Sequence, residues 1–157
     1  MTAKNMLFWL GFTVACIWLQ HFIQGVDFLV VGLILLLQEG RWPKTLWLAL
    51  LWILIQDGGG NLAFGPALLW YAGVAALFHA GRWLFEAENV LFILLLGLSL
   101  GVWHLGLVWL MASLQDVVVS GPALLRESLV QALVVLPVWL AAHKLQLKFR
   151  ITNVRTT

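Results

Sequence analysis

Uncharged hydrophobic runs follow one another along almost the whole chain, separated by short polar turns. Residues 5–26 and 89–115 carry no fixed charge. Each is long enough to cross a hydrocarbon core of about 30 Å, which takes about 20 helical residues. Residues 58–81 are also uncharged, but they open with Gly58-Gly59-Gly60-Asn61 and contain Pro66, which predicts a helix over 64–80. The last run, 124–142, has Arg126 and Glu127 in its first turn and Pro137 where a kink is expected.

Two further runs, 28–38 and 45–56, have the length of re-entrant or buried helices. Charge argues for spans instead. If both dipped in and out from one side, the Glu39-Gly40-Arg41-Trp42-Pro43-Lys44 turn would sit in hydrocarbon, at about 2.5–3.5 kcal/mol for each central charge. Two short full spans that let Asp27, Lys44 and Asp57 reach the interface cost less. The expected fold is therefore an all-α membrane protein. About six transmembrane helices form one domain over 1–142, and a short basic cytoplasmic tail follows over 143–157.

Composition agrees: 62% of residues are hydrophobic, 10% are charged and the mean hydropathy is +0.97. Six crossings use roughly three quarters of the chain, which leaves little for a soluble catalytic domain. The net charge of +2 is spread over turns and tail, unlike a nucleic-acid-binding face. In a six-span thread Lys4, Arg41, Lys44, Arg82, Lys144, Lys148, Arg150 and Arg155 share one side and only Arg126 lies opposite. The positive-inside rule then puts both termini in the cytoplasm, with Trp42, Trp47 and Trp83 as anchors at the inner interface. The single cysteine, Cys16, rules out an intrachain disulfide. Val14-Ala15-Cys16 resembles a lipoprotein cleavage box, but Thr13 stands where leucine is expected and the run stays hydrophobic beyond it, so an uncleaved first helix is expected.

The same thread reveals a repeat. Gln56-Asp57 is followed by Gly65-Pro66-Ala67-Leu68-Leu69, and Gln115-Asp116 by Gly121-Pro122-Ala123-Leu124-Leu125, as expected for two parallel hairpins whose outer turns end one helix and start the next. Asp57 and Asp116 form the one pair that invites acid/base chemistry through a shared proton; as interfacial carboxylates they serve equally to end a span. His104, Ser99 and Gln131 fall inside spans and are expected to face inward and bond between helices. With Asn61 in the outer loop, His104 and Gln131 make a candidate polar pocket. Gly97 and Gly101, with Gly106 beyond, form a small-residue seam fit either for packing within the monomer or for docking a partner's helix. In the tail Lys144, Gln146, Lys148 and Arg150 alternate with Leu145, Leu147, Phe149 and Ile151. That period suits a strand covered by a partner or by lipid, and the same residues suit a basic stop segment. No hydrolase, metalloprotease, nucleotide-loop or metal-spacing motif occurs, so no enzyme, metal or cofactor is expected.

Over residues 25–86 the chain resembles the rod shape-determining MreD family of bacterial inner-membrane proteins. The residues that carry the likeness are Val26-Asp27-Phe28-Leu29 opening a leucine-rich second span and the basic turn from Arg41 to Lys44. The third span ending in Asp57, and the glycine-rich loop with Gly65, complete it. Val26 replaces the usual proline, and Gly-Gly-Gly-Asn-Leu-Ala-Phe follows an aspartate, Asp57 with Gly58 to Gly60, where the family has its own glycine spacing. The resemblance implies a non-enzymatic scaffold of the cell-elongation machinery. Such a scaffold binds the single-span protein MreC and acts with the MreB filament, a SEDS glycosyltransferase and a class B penicillin-binding protein. Gly97, Gly101, Lys148 and Arg150 are then the candidate partner contacts. The family is also similar in fold to the S-components of energy-coupling factor vitamin transporters. A substrate-binding subunit of that kind is the alternative, marked by a closed, ligand-sized polar cavity. A membrane aspartyl hydrolase resembling lipoprotein signal peptidase is a remoter one, echoed by Asn61-Leu62-Ala63-Phe64 but lacking that family's Asn-x-x-Asp-Arg and Ala-Asp-Ser motifs.

Overall fold

The computed structural model describes residues 3–58 and 65–154, with side chains over 5–58 and 65–148. Six helices follow in order: α1 (Ala3–Phe22), α2 (Leu29–Glu39), α3 (Trp42–Gly58), α4 (Pro66–Gly81), α5 (Val90–Leu114) and α6 (Gly121–Val154). No strand occurs among the described residues. Three helices, α1, α5 and α6, are long and apolar enough to cross a membrane, while α2 and α4 are shorter apolar helices.

The centre of the molecule is α2. The run from Leu29 to Leu37 has no polar face, and a helix apolar all round is stable in a protein only when neighbours cover every side. All nine of those residues are buried, beneath α1, α3, α4 and α6. At 11 residues α2 is about 16 Å long, a short helix wrapped by its neighbours. Its lower end is tied by Glu39, whose carboxylate pairs with Lys44 at 2.7 Å and accepts from Gln146 of α6. Lys44 also lies over the Trp9 ring at 4.5 Å. Lys44 was expected at the interface; instead its side chain is only 7% exposed because the ion pair and the indole take it inward. Trp42, Trp47 and Trp83 are exposed, as anchors require.

The largest helix contact joins α5 and α6, and glycine makes it close. A Cβ on Gly97 would come within 2.8 Å of the Ala132 carbonyl oxygen, and one on Gly101 within 2.8 Å of the Ser128 carbonyl oxygen. Of the two roles open to this seam, internal packing is the one the fold uses, so Gly97 and Gly101 are unavailable as a partner-docking face. Their place is taken by this chain's own α6. Gly106, with open space around its Cβ position, lies outside the seam.

The tail is corrected too. α6 runs from Gly121 through Pro137 to Val154, so the segment whose alternation suits a strand is helical. Trp139, Ala142 and Gln146 share one helical face and are all buried, and Gln146 and Trp139 bond to Glu39 and Gln38. Those anchors continue the helical register into a segment whose local alternation favours a strand.

Candidate functional site: a carboxylate hub at Asp27

Asp27 lies in the six-residue connection from 23 to 28 between α1 and α2, half-buried. Its Oδ1 accepts hydrogen bonds from Gln20 Nε2 of α1 at 2.7 Å, from the Leu29 backbone N–H at 2.8 Å and from Gln56 Nε2 of α3 at 3.0 Å. Its Oδ2 accepts from Trp70 Nε1 of α4 at 2.8 Å. The backbone of the same residue is clamped by Gln131 of α6, whose Oε1 accepts from the Asp27 N–H at 2.7 Å while its Nε2 donates to the Asp27 carbonyl at 3.2 Å. One residue thus ties α1, α3, α4 and α6 to the first turn of α2.

Each partner has a local reason to be there. The N-terminus of α2 has orphan N–H groups that Phe28 cannot cap, and the carboxylate one residue earlier takes the Leu29 N–H instead. Gln20, Gln56 and Gln131 are amides within apolar helices, and a polar group in such a setting is stable only when bonded to protein. Gly25 makes the turn possible. Its φ of +79° is left-handed, and a Cβ there would fall 2.5 Å from Glu127 Cδ, so the Glu127 side chain lies directly against this turn. Burial pushes the Asp27 carboxyl above the ordinary carboxylate range, and the bonds from Trp70, Leu29, Gln56 and Tyr71 pull it back down.

Beside the carboxylate lies a cavity of about 520 Å³, open on one side. Gln20, Asp27, Gln56 and His104 give it polar character; Ile17, Ile55, Leu107 and Val108 are among its apolar walls. His104 of α5 meets the Trp70 ring edge-on, with centroids 5.6 Å apart, and its Nδ1 is 3.1 Å from Ser128 Oγ of α6.

Of the expected pocket residues, His104 and Gln131 do face inward and bond between helices, at the cavity wall and behind Asp27 respectively. Asn61 lies outside the described residues. Ser99 does not face inward: it is exposed and bonds back to Leu95 O of its own helix at 2.9 Å. Asp57 caps α4, its two carboxylate oxygens accepting from Gly65 N and Ala67 N at 3.1 Å each. Asp116 is exposed and turns the chain with φ +51°, so the two aspartates play different local roles, and neither lines the cavity. Lys148 is exposed on α6, and the side chain of Arg150 lies outside the described residues. No group of three or more His, Cys, Asp or Glu side chains able to hold a metal occurs among the described residues.

Asp27 itself was expected at the water interface. The signal for its real role was three glutamines, Gln20, Gln56 and Gln131, within otherwise apolar runs; one residue engages all of them, Gln20 and Gln56 through its carboxylate and Gln131 through its backbone. These features define an all-α membrane protein organised around a single acidic residue. No protein-family model, curated protein or solved structure matches the chain.

Proposed function

We propose that this protein is a non-enzymatic scaffold of the bacterial cell-elongation machinery, similar to the MreD family, that holds an MreC-like single-span partner in the inner membrane. In this reading the chain crosses the membrane six times with both termini in the cytoplasm, and MreB filaments and peptidoglycan synthases are reached through the partner. The observation that supports it is a lateral apolar groove of about 370 Å³ between α1 and α6, walled by Gly11, Ala15, Ala141 and Ala142. A Cβ on Gly11 would meet nothing within 4 Å, so this face has space where the Gly97/Gly101 seam has none. Small residues let a partner helix approach closely, and dispersion contacts there replace the hydrophobic drive that lipid removes. Lys148 and Arg150, near the end of α6, are the basic residues that this reading assigns to the partner's cytoplasmic end.

Co-purification from detergent of the tagged protein with its MreC-like partner tests the reading. Gly11→Leu and Ala141→Leu should each reduce retention of the partner by about tenfold while leaving the chain folded. Full retention by both variants, or no retention by the parent, would sink it. The alternative of an S-component-like substrate-binding subunit has one observation in its favour, the polar cavity beside Asp27, which is open rather than closed.

A further inference from the structure

The hydrogen bonds around Asp27 decide what its cavity can bind. A carboxylate only accepts, so the amide nitrogens of Gln20 and Gln56 must face it, and this settles the orientation of both amides on chemistry alone. Gln56 Nε2 also donates to the Tyr71 hydroxyl at 2.8 Å, which uses both of its hydrogens. The carbonyl oxygen of each amide then points away from the carboxylate, and both side chains line the cavity. Neither Oε1 has a hydrogen-bond donor among the described residues. Asp27 therefore acts on the cavity indirectly, by presenting two acceptors.

Charge adds a sign to this pattern. Among the described residues the one ion pair is Lys44 with Glu39, so Asp27 has no cationic partner there. Glu127, against Gly25 at the cavity wall, has none either. A hydrogen-bond donor without charge would satisfy the amide oxygens but leave the negative potential uncompensated. A bare metal ion would leave the apolar walls of Ile17, Ile55, Leu107 and Val108 unused.

We propose that the cavity beside Asp27 binds a primary ammonium group, whose N–H bonds go to Gln20 Oε1 and Gln56 Oε1 with the Asp27 charge directly behind them. The carbon skeleton attached to the ammonium packs on the aliphatic wall. Such a group is carried by an ethanolamine lipid headgroup or by a free amphiphilic amine. This site is independent of the α1–α6 groove and of the scaffold reading.

Native mass spectrometry of the full chain, released from a phosphatidylglycerol-supplemented micelle, tests it. Phosphatidylethanolamine, phosphatidylcholine and phosphatidylglycerol are titrated in parallel, and phenethylamine is titrated without lipid. Ethanolamine lipid binding about tenfold more tightly than choline lipid, which has no N–H, and than glycerol lipid supports a headgroup as the source. Binding of phenethylamine without that lipid preference supports a free amine. In either case Asp27→Asn and Gln20→Met should each weaken binding by about tenfold. Gln20→Met keeps the Leu29, Gln56 and Trp70 donors on the carboxylate, so it remains decisive if Asp27→Asn fails to fold. Three lipids bound alike with no uptake of phenethylamine, or unchanged binding by Gln20→Met, would overturn the proposal.

Discussion

Replacing Asp27 by alanine removes the acceptor shared by Gln20, Leu29, Gln56, Trp70 and Tyr71, and the cost can be worked out donor by donor, the Tyr71 hydroxyl being a rotor that adds no fixed orphan. Gln20 and Gln56 line the open cavity, so their amides turn to water and lose little. The Leu29 N–H and the Trp70 Nε1–H cannot turn, because Leu29 is fully buried and Trp70 is 5% exposed. Each orphaned buried donor costs about 1–3 kcal/mol, so the two together cost about 2–6 kcal/mol. Alanine also relieves the burial of the carboxylate, the effect that raises its proton affinity, and this returns part of the loss. A net destabilisation of about 3 kcal/mol is expected at neutral pH. Unfolding in mixed micelles by dodecyl sulfate, followed by far-ultraviolet circular dichroism, measures it. Trp70→Phe supplies the internal control. It deletes the donor at 2.8 Å from Oδ2, so Asp27→Ala should cost about 1–2 kcal/mol less in that background. A loss below about 0.5 kcal/mol, or additive single-variant effects, would refute the hub.

Three other outcomes follow from the same geometry. Gly101→Leu should destabilise the fold by about 3 kcal/mol because the Ser128 backbone stands 2.8 Å from the new Cβ, whereas Gly106→Leu should be neutral; the same unfolding assay reads both. Asp57→Ala should cost about 1 kcal/mol and speed hydrogen exchange at Gly65 and Ala67, the two amides it caps, leaving α2 protected. Because Asp27 binds its proton more tightly folded than unfolded, its stabilising contribution is fully present below the ordinary value of about 3.9 and is lost as pH rises through the higher folded value. Unfolding midpoints against pH should therefore fall across that interval in the parent and flatten in Asp27→Asn.

The linear pattern determined the helices themselves. Uncharged runs with few breakers cannot satisfy their backbone in hydrocarbon except as helices, so each of the six runs holds a helix, and only α6 extends far beyond its run. The inward facing of His104 and Gln131 was equally legible, since amides and imidazoles in such runs need protein partners. What tertiary structure alone decided was which groups meet. Runs 28–38 and 45–56 look alike as strings, yet α2 is enclosed while α3 exposes Leu46, Trp47, Leu50 and Leu54, because only packing chooses which apolar surface neighbours cover. Asp27 reads as an interfacial charge until Gln20, Gln56, Trp70 and Gln131 arrive from four other helices up to 104 positions away. The glycine seam signals a close approach without naming the helix that makes it, and the tail's alternation yields to anchors on Glu39 and Gln38. Hydrophobic periodicity is a local property of the string; the pairing of buried polar groups is a property of contacts, and it exists only once the chain has folded.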